Sequence, residues 1–124
     1  MTRPVQDLAL LVEPMTRRGL IEARLRAAMS NAAHSGLVIA QFTFVSATEC
    51  CALGALNPEY PYAERPHSEW HRELGALAGL TPDEALALTY GFDGEPGRAD
   101  AEHEEWARLG WALWQYADEK GWTA

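Results

Sequence analysis

The sequence predicts a mainly α-helical fold: a compact bundle of about five to six short helices, with one short strand over residues 37–45 pairing in a small sheet or across a dimer. Three observations predict it. Apolar residues recur at helical spacing in several segments, cap and stop signals bracket those segments, and 124 residues that are 48% hydrophobic suffice for one core. A single helical domain over 1–124 follows, needing neither disulfide nor structural metal.

Pro4 followed by Val5, Leu8, Ala9 and Val12 reads as a first helix that Pro14 ends. Thr16 then caps a second, with Ile21, Leu25, Ala28, Met29 and Ala32 on one face and His34-Ser35-Gly36 as its stop. Leu37 to Val45 changes character. Val38, Ala40, Phe42 and Phe44 alternate along an apolar, β-prone run, which predicts a strand in need of a pairing partner from this chain or a second copy.

Ser46 with Glu49 three residues on is a capping-box pattern, and it predicts a short helix through Leu56, closed by Asn57-Pro58. Pro58, Pro61 and Pro66 make 57–66 an extended loop. A helix within 64–78 should turn Trp70, Leu74 and Leu77 inward and stop at Gly79. Thr81-Pro82-Asp83-Glu84 combines cap, first-turn proline and third-position acid for a helix ending at Gly91. After the turn-rich Gly94, Pro96 and Gly97, a last helix runs from about Asp100 to Lys120, with Trp106, Leu109, Gly110, Leu113, Trp114 and Ala117 inward.

Charge narrows the partner class. The net charge of −8 is uneven: residues 1–40 carry five arginines against three acids, for +2, and the rest carries −10. The second part repels a phosphate backbone, so nucleic acid is disfavoured except through the short arginine-bearing N-terminal helix, and a basic protein partner is the better match. No apolar run reaches the ~18 residues of a membrane span and no leader pattern is evident, which predicts a cytoplasmic protein with no membrane contact. Cys50 and Cys51 are adjacent, about 3.8 Å apart at Cα and so below the usual disulfide separation of about 4.4–6.8 Å. They are expected as free thiols, in keeping with a reducing compartment.

Four groups of side chains could carry chemistry. Cys50 and Cys51, placed near the first turn of the helix expected after Ser46, could be thiolate nucleophiles; packed beside Gly54 and Ala55, they could equally be small core residues. His67 and His71, four apart on one helix face, could serve as bases for those thiols, with His103 as another, or hold a metal with a cysteine. Their surroundings do not match His-Glu-x-x-His, and no metal ligand set or cofactor is assigned. Asp93 between Gly91 and Gly94, followed by Glu95, Asp100, Glu102, Glu104 and Glu105, fails the calcium-loop spacing and reads as turn and cap acids. Trp111 lies about 130° round from the centre of the last helix's apolar face. An outward tryptophan suits a protein contact; the alternative is that a loop covers it. Trp111, Trp114, Asp93 and Glu104 are the candidate binding residues.

The run Cys50-Cys51-Ala52-Leu53-Gly54-Ala55-Leu56 resembles a Cys-x-x-Gly-Ala helix-start motif in small bacterial and actinophage protein families without an assigned activity. Gly91-Phe92-Asp93-Gly94 and the tryptophan-rich end are similar to features of some members, and the Asn-Asp pair that some carry downstream has no counterpart. The resemblance covers about a dozen residues and implies a bacterial or phage accessory protein, with no reaction attached. The functional expectation is a protein-binding or regulatory module, acting on a partner or as a homo-oligomer. A thiol-dependent enzyme or sensor using Cys50 or Cys51 with a histidine, or a His/Cys metal-binding protein, stands as the alternative.

Overall fold

Helix α1, Arg17–His34, starts where Thr16 adopts extended backbone and its hydroxyl accepts from the Gly19 N–H at 3.0 Å. The computed structural model describes residues 16–46, 48–60 and 64–124, so the helix predicted over residues 4–12 lies outside the described residues. The apolar stripe of α1 buries Ile21, Leu25, Met29 and Ala32. Helix α2, His67–Ala78, ends at Gly79, whose φ of 95° lets its N–H and that of Leu80 bond back to the last turn. Leu74, Gly75 and Ala78 face inward on α2, and Trp70 is half-buried. Leu77 does not join them: one residue from Ala78 is a rotation of about 100°, and its side chain is largely exposed.

Helix α3, Pro82–Phe92, carries the predicted capping box in full, with the Thr81 hydroxyl accepting from Glu84 N–H and the Glu84 carboxylate from Thr81 N–H. It runs one residue past Gly91, so that glycine is an interior position and not the stop. Helix α4, Glu104–Glu119, follows two 3-10 turns, Pro96–Arg98 and Ala101–His103. It buries Trp106, Leu109, Gly110, Leu113 and Ala117 as predicted, with Trp114 half-buried. Helices α3 and α4 cross at their glycines. A Cβ on Gly91 would stand 1.8 Å from the Ala107 carbonyl oxygen, and one on Gly110 would stand 2.0 Å from that of Leu88. Only hydrogens let the two backbones approach this closely.

Among the described residues there are four α-helices, where five to six were predicted. The missing one is the helix after Ser46. The Ser46 hydroxyl does accept from the N–H groups of Thr48 and Glu49, as a cap would. The chain then continues as a strand, β2 (Glu49–Cys50), and only Gly54–Leu56 forms a 3-10 turn. Tertiary hydrogen bonds override the local signal: Thr48 O accepts from Val38, Cys50 O accepts from Ala40, and Cys51 N–H donates to Phe44 O.

The predicted strand 37–45 shortens to β1, Val38–Ile39, paired parallel with β2 in the register Val38 to Glu49 and Ile39 to Cys50. Ile39 also bridges to Thr123 near the chain end, and Val45 folds back to bridge Cys50 from its other side. The strand's partners thus lie within the chain, which removes the pairing motive for a dimer. The alternating set does not share one environment. Phe44 packs against the core whereas Phe42 is 70% exposed, and Ile39, outside the set, is fully buried.

Candidate functional site

Between the end of β1 and Val45, the chain turns across the C-terminal end of α3. The Gln41 side-chain amide donates to Phe92 O at 3.0 Å, and Phe42 N–H donates to the Asp93 carboxylate at 2.8 Å. Asp93 itself closes α3, its N–H bonding the carbonyl of Thr89 while the Gly94 N–H bonds that of Gly91. Two anchors therefore fix one turn, and within it Phe42 takes a φ of 61°, the only positive φ among the described non-glycine residues. That conformation is costly for a bulky side chain.

Beside this turn opens a cleft of about 590 Å³. Three separate segments build it. The turn supplies Phe42, Thr43, Phe44 and Val45; α2 supplies Trp70 and His71; α3 and the turn after it supply Leu86, Thr89, Tyr90, Asp93, Glu95 and Arg98. Phe44 packs edge-on against Trp70, with ring centres 5.5 Å apart, and against His71 at 5.0 Å. At the far rim, the Arg98 guanidinium lies 4.6 Å from the centre of the Tyr90 ring and bonds the Glu95 carboxylate at 2.9 Å. Burial holds the Asp93 carboxyl above its usual range, and Glu95 adds to this against the opposing Phe42 N–H. Among the described residues no cationic side chain pairs with Asp93.

Trp111 stands next to this assembly. A Cβ on Gly94 would lie 3.4 Å from the Gln41 amide nitrogen and 3.7 Å from Trp111 Cζ3, so the turn, Gly94 and Trp111 are neighbours. With Trp111 39% exposed, two aromatic side chains face outward around the Asp93–Gly94 turn. Trp114 plays a different part, half-buried and edge-on to Phe92 at 5.5 Å. Glu104 is ion-paired to Arg108 at 2.7 Å and lies outside the cleft lining.

The other predicted groups are dispersed. Cys50 lies in β2 and Cys51 just after it, so neither occupies the helical first turn expected to lower a thiol pKa. Burial pushes Cys50 up to about 11 and Cys51 up to about 12. Cys51 sits behind the cleft among Leu53, Leu88 and Phe92, where its sulfur accepts from Gly54 N–H. Gly54 is required there, because a Cβ would meet the Phe44 carbonyl oxygen at 1.7 Å. The cleft brings His71 and Asp93 to one site, but its lining holds neither cysteine. The side chain of His67 is outside the described ones. Asp100, Glu102 and His103 bring potential ligand atoms within 4.8 Å of one another on the surface. Asp100 is the cap of the 3-10 turn there, accepting from both the His103 N–H and its ring, the turn-and-cap role expected of acids in this stretch.

Sequence reasoning assigned Phe42 and Phe44 to a strand and Trp70 to a core, and it gave Tyr90 and Arg98 no role. No local signal marks them as a site, because the cleft exists only once α2, α3 and the turn converge. No protein-family model, curated protein or solved structure matches the chain. No helix among the described residues is long and apolar enough to cross a membrane. The described residues are mainly helical with a two-stranded parallel sheet, and they form an aromatic cleft flanked by two outward aromatic side chains.

Proposed function

We propose that this chain is a protein-binding module, with its docking face formed by the cleft, Phe42 and Trp111. One observation carries the reading: Phe42 is held in a strained left-handed conformation that keeps its ring in solvent. Relaxing φ would relieve the strain, yet Asp93 and Gln41 both pin the turn. Strain of this kind persists where a site has use for it. Exposed aromatic side chains are the commonest energetic anchors of protein interfaces, and the acidic surface favours a basic partner. The buried thiols, with their raised pKa values, support a packing role for Cys50 and Cys51. On this reading the chain is a small accessory protein, of the kind its resemblance to bacterial and phage families implies.

Selection of random displayed peptides on the wild-type protein tests this. Enriched peptides should bind Phe42→Gly and Trp111→Ala roughly thirtyfold more weakly, the loss of one interface anchor. Failure to enrich any sequence, or peptides indifferent to both changes, would overturn the proposal.

A further inference from the structure

We infer that the cleft selects a lysine side chain of its protein partner, with the primary ammonium on the Asp93 carboxylate and the methylene stem laid against Phe44, Trp70 and Tyr90. The inference rests on the protein-binding reading and names what that site recognises.

Four observations converge on it. Asp93 is a half-buried carboxylate whose hydrogen-bond donor is a backbone amide, and no cation among the described residues neutralises it. Arg98, the cation at the cleft rim, is already committed to Glu95 and to the face of Tyr90. A carboxylate withdrawn from water without a counter-charge is unfavourable, so a cationic ligand gains more here than at an exposed acid. Second, the walls are aromatic. Ring faces accept the apolar stem of a long cationic side chain whose head reaches a carboxylate, and Arg98, over Tyr90 and bonded to Glu95, pairs an aromatic face with a carboxylate within the same cleft.

Third, the Phe42 N–H already occupies Asp93 Oδ1 at 2.8 Å, leaving Oδ2 for the ligand. A single oxygen suits the point charge of an ammonium, whereas a guanidinium gains most from gripping both oxygens. Last, the net charge of −8 draws a basic segment towards the protein at long range. Lysine answers all four, with a cation for Oδ2 and an apolar stem for the rings.

The test uses short blocked tripeptides, Gly-Lys-Gly, Gly-Arg-Gly and Gly-norleucine-Gly, which keeps the lysine stem without its ammonium, titrated into the whole protein by NMR at millimolar concentration. The lysine peptide should shift the backbone amides of Phe42 and Asp93. The norleucine peptide should bind at least about tenfold more weakly. Asp93→Asn keeps an oxygen for the Phe42 N–H while removing the charge, so it should retain the wild-type spectrum and lose the lysine preference. Equal affinity for norleucine, tighter binding of arginine, an undiminished lysine preference in Asp93→Asn, or shifts confined to another face would each overturn the inference. Displayed peptides that depend on Phe42 yet show no lysine preference would overturn this inference alone. Failure of both selection and titration would remove the docking site with it.

Discussion

Replacing Phe42 by glycine and by alanine separates backbone strain from side-chain burial at the rim. The ring is 70% exposed, so of the roughly 200 Å² that a phenylalanine offers, about 60 Å² is covered, worth about 1.5 kcal/mol at ~25 cal/mol per Å². Both substitutions forfeit that. Alanine also retains the left-handed penalty of about 1–2 kcal/mol, while glycine sheds it and gives back roughly 0.5–1 kcal/mol of backbone entropy. The glycine variant should therefore exceed the alanine variant by about 1 kcal/mol, reversing the usual order of these residues in helices and strands. Urea denaturation with a common slope measures the difference, and a thermal melt should show it as about 4 °C in Tm. Glycine itself should fall within about 1 kcal/mol of the wild type, so a loss of peptide binding in that variant could not be assigned to unfolding. An alanine variant as stable as the glycine variant would show that the turn does not hold φ near 61° in solution, and the case for a strained, displayed ring would fail with it.

Three further outcomes follow from the packing and electrostatics. Gly110→Ala places a methyl 2.0 Å from the Leu88 carbonyl oxygen. Because the backbones can make room only by parting and losing their packing, the free energy of unfolding should drop by about 3 kcal/mol or more; a small loss would mean that α3 and α4 are further apart than described. Glu84 is held down to about 2, chiefly by its hydrogen bond from Arg17. A depressed carboxyl stabilises above its unfolded pKa of about 4.3. The advantage of wild type over Glu84→Gln should thus be complete at pH 6 and vanish as pH falls towards 2; a constant difference across that window would refute the ion pair's role. For the thiols the sign is opposite. Values raised to about 11 and about 12 favour the neutral folded form, so their contribution is whole below the unfolded value of about 8.5 and is lost as pH climbs through 11–12. At pH 8, alkylation of the native protein should run more than about a hundredfold slower than in denaturant, and comparable rates would show the thiols to be accessible.

How far the sequence could be read depended on the range of the forces that set each element. Thr16, and Thr81 with Glu84, bond within a single turn, so the starts of α1 and α3 were legible from a few letters. The periodicity of Trp106, Leu109, Leu113 and Ala117 likewise placed the buried face of α4. Ser46 shows the limit of that logic. Its hydroxyl makes the expected cap bonds, but Glu49 and Cys50 are claimed by partners near residues 38–45. Local chemistry does not encode such a contest. Trp111 and Asp93 were legible as candidates because an outward tryptophan and an acid between glycines are unusual in themselves. Phe42, Phe44, Trp70 and Tyr90 were not, since ordinary apolar residues form a cleft only by converging.

The glycine crossing and the docking face are mechanically one unit. Gly91 and Gly110 set how closely α3 approaches α4, and Asp93 and Gly94 are the next residues along α3's exit, while Trp111 immediately follows Gly110. The contact that seals the core therefore also fixes the distance between the Asp93 turn and the Trp111 ring. Phe42 is tied to the same turn through the Asp93 carboxylate. A methyl at position 110 should thus weaken peptide binding beyond what the fraction unfolded accounts for, because parting the helices moves Trp111 away from Gly94. If binding by the folded fraction of Gly110→Ala matched the wild type, Trp111 and the cleft would act as independent surfaces. The spacing fixed by the two glycines would then serve stability alone.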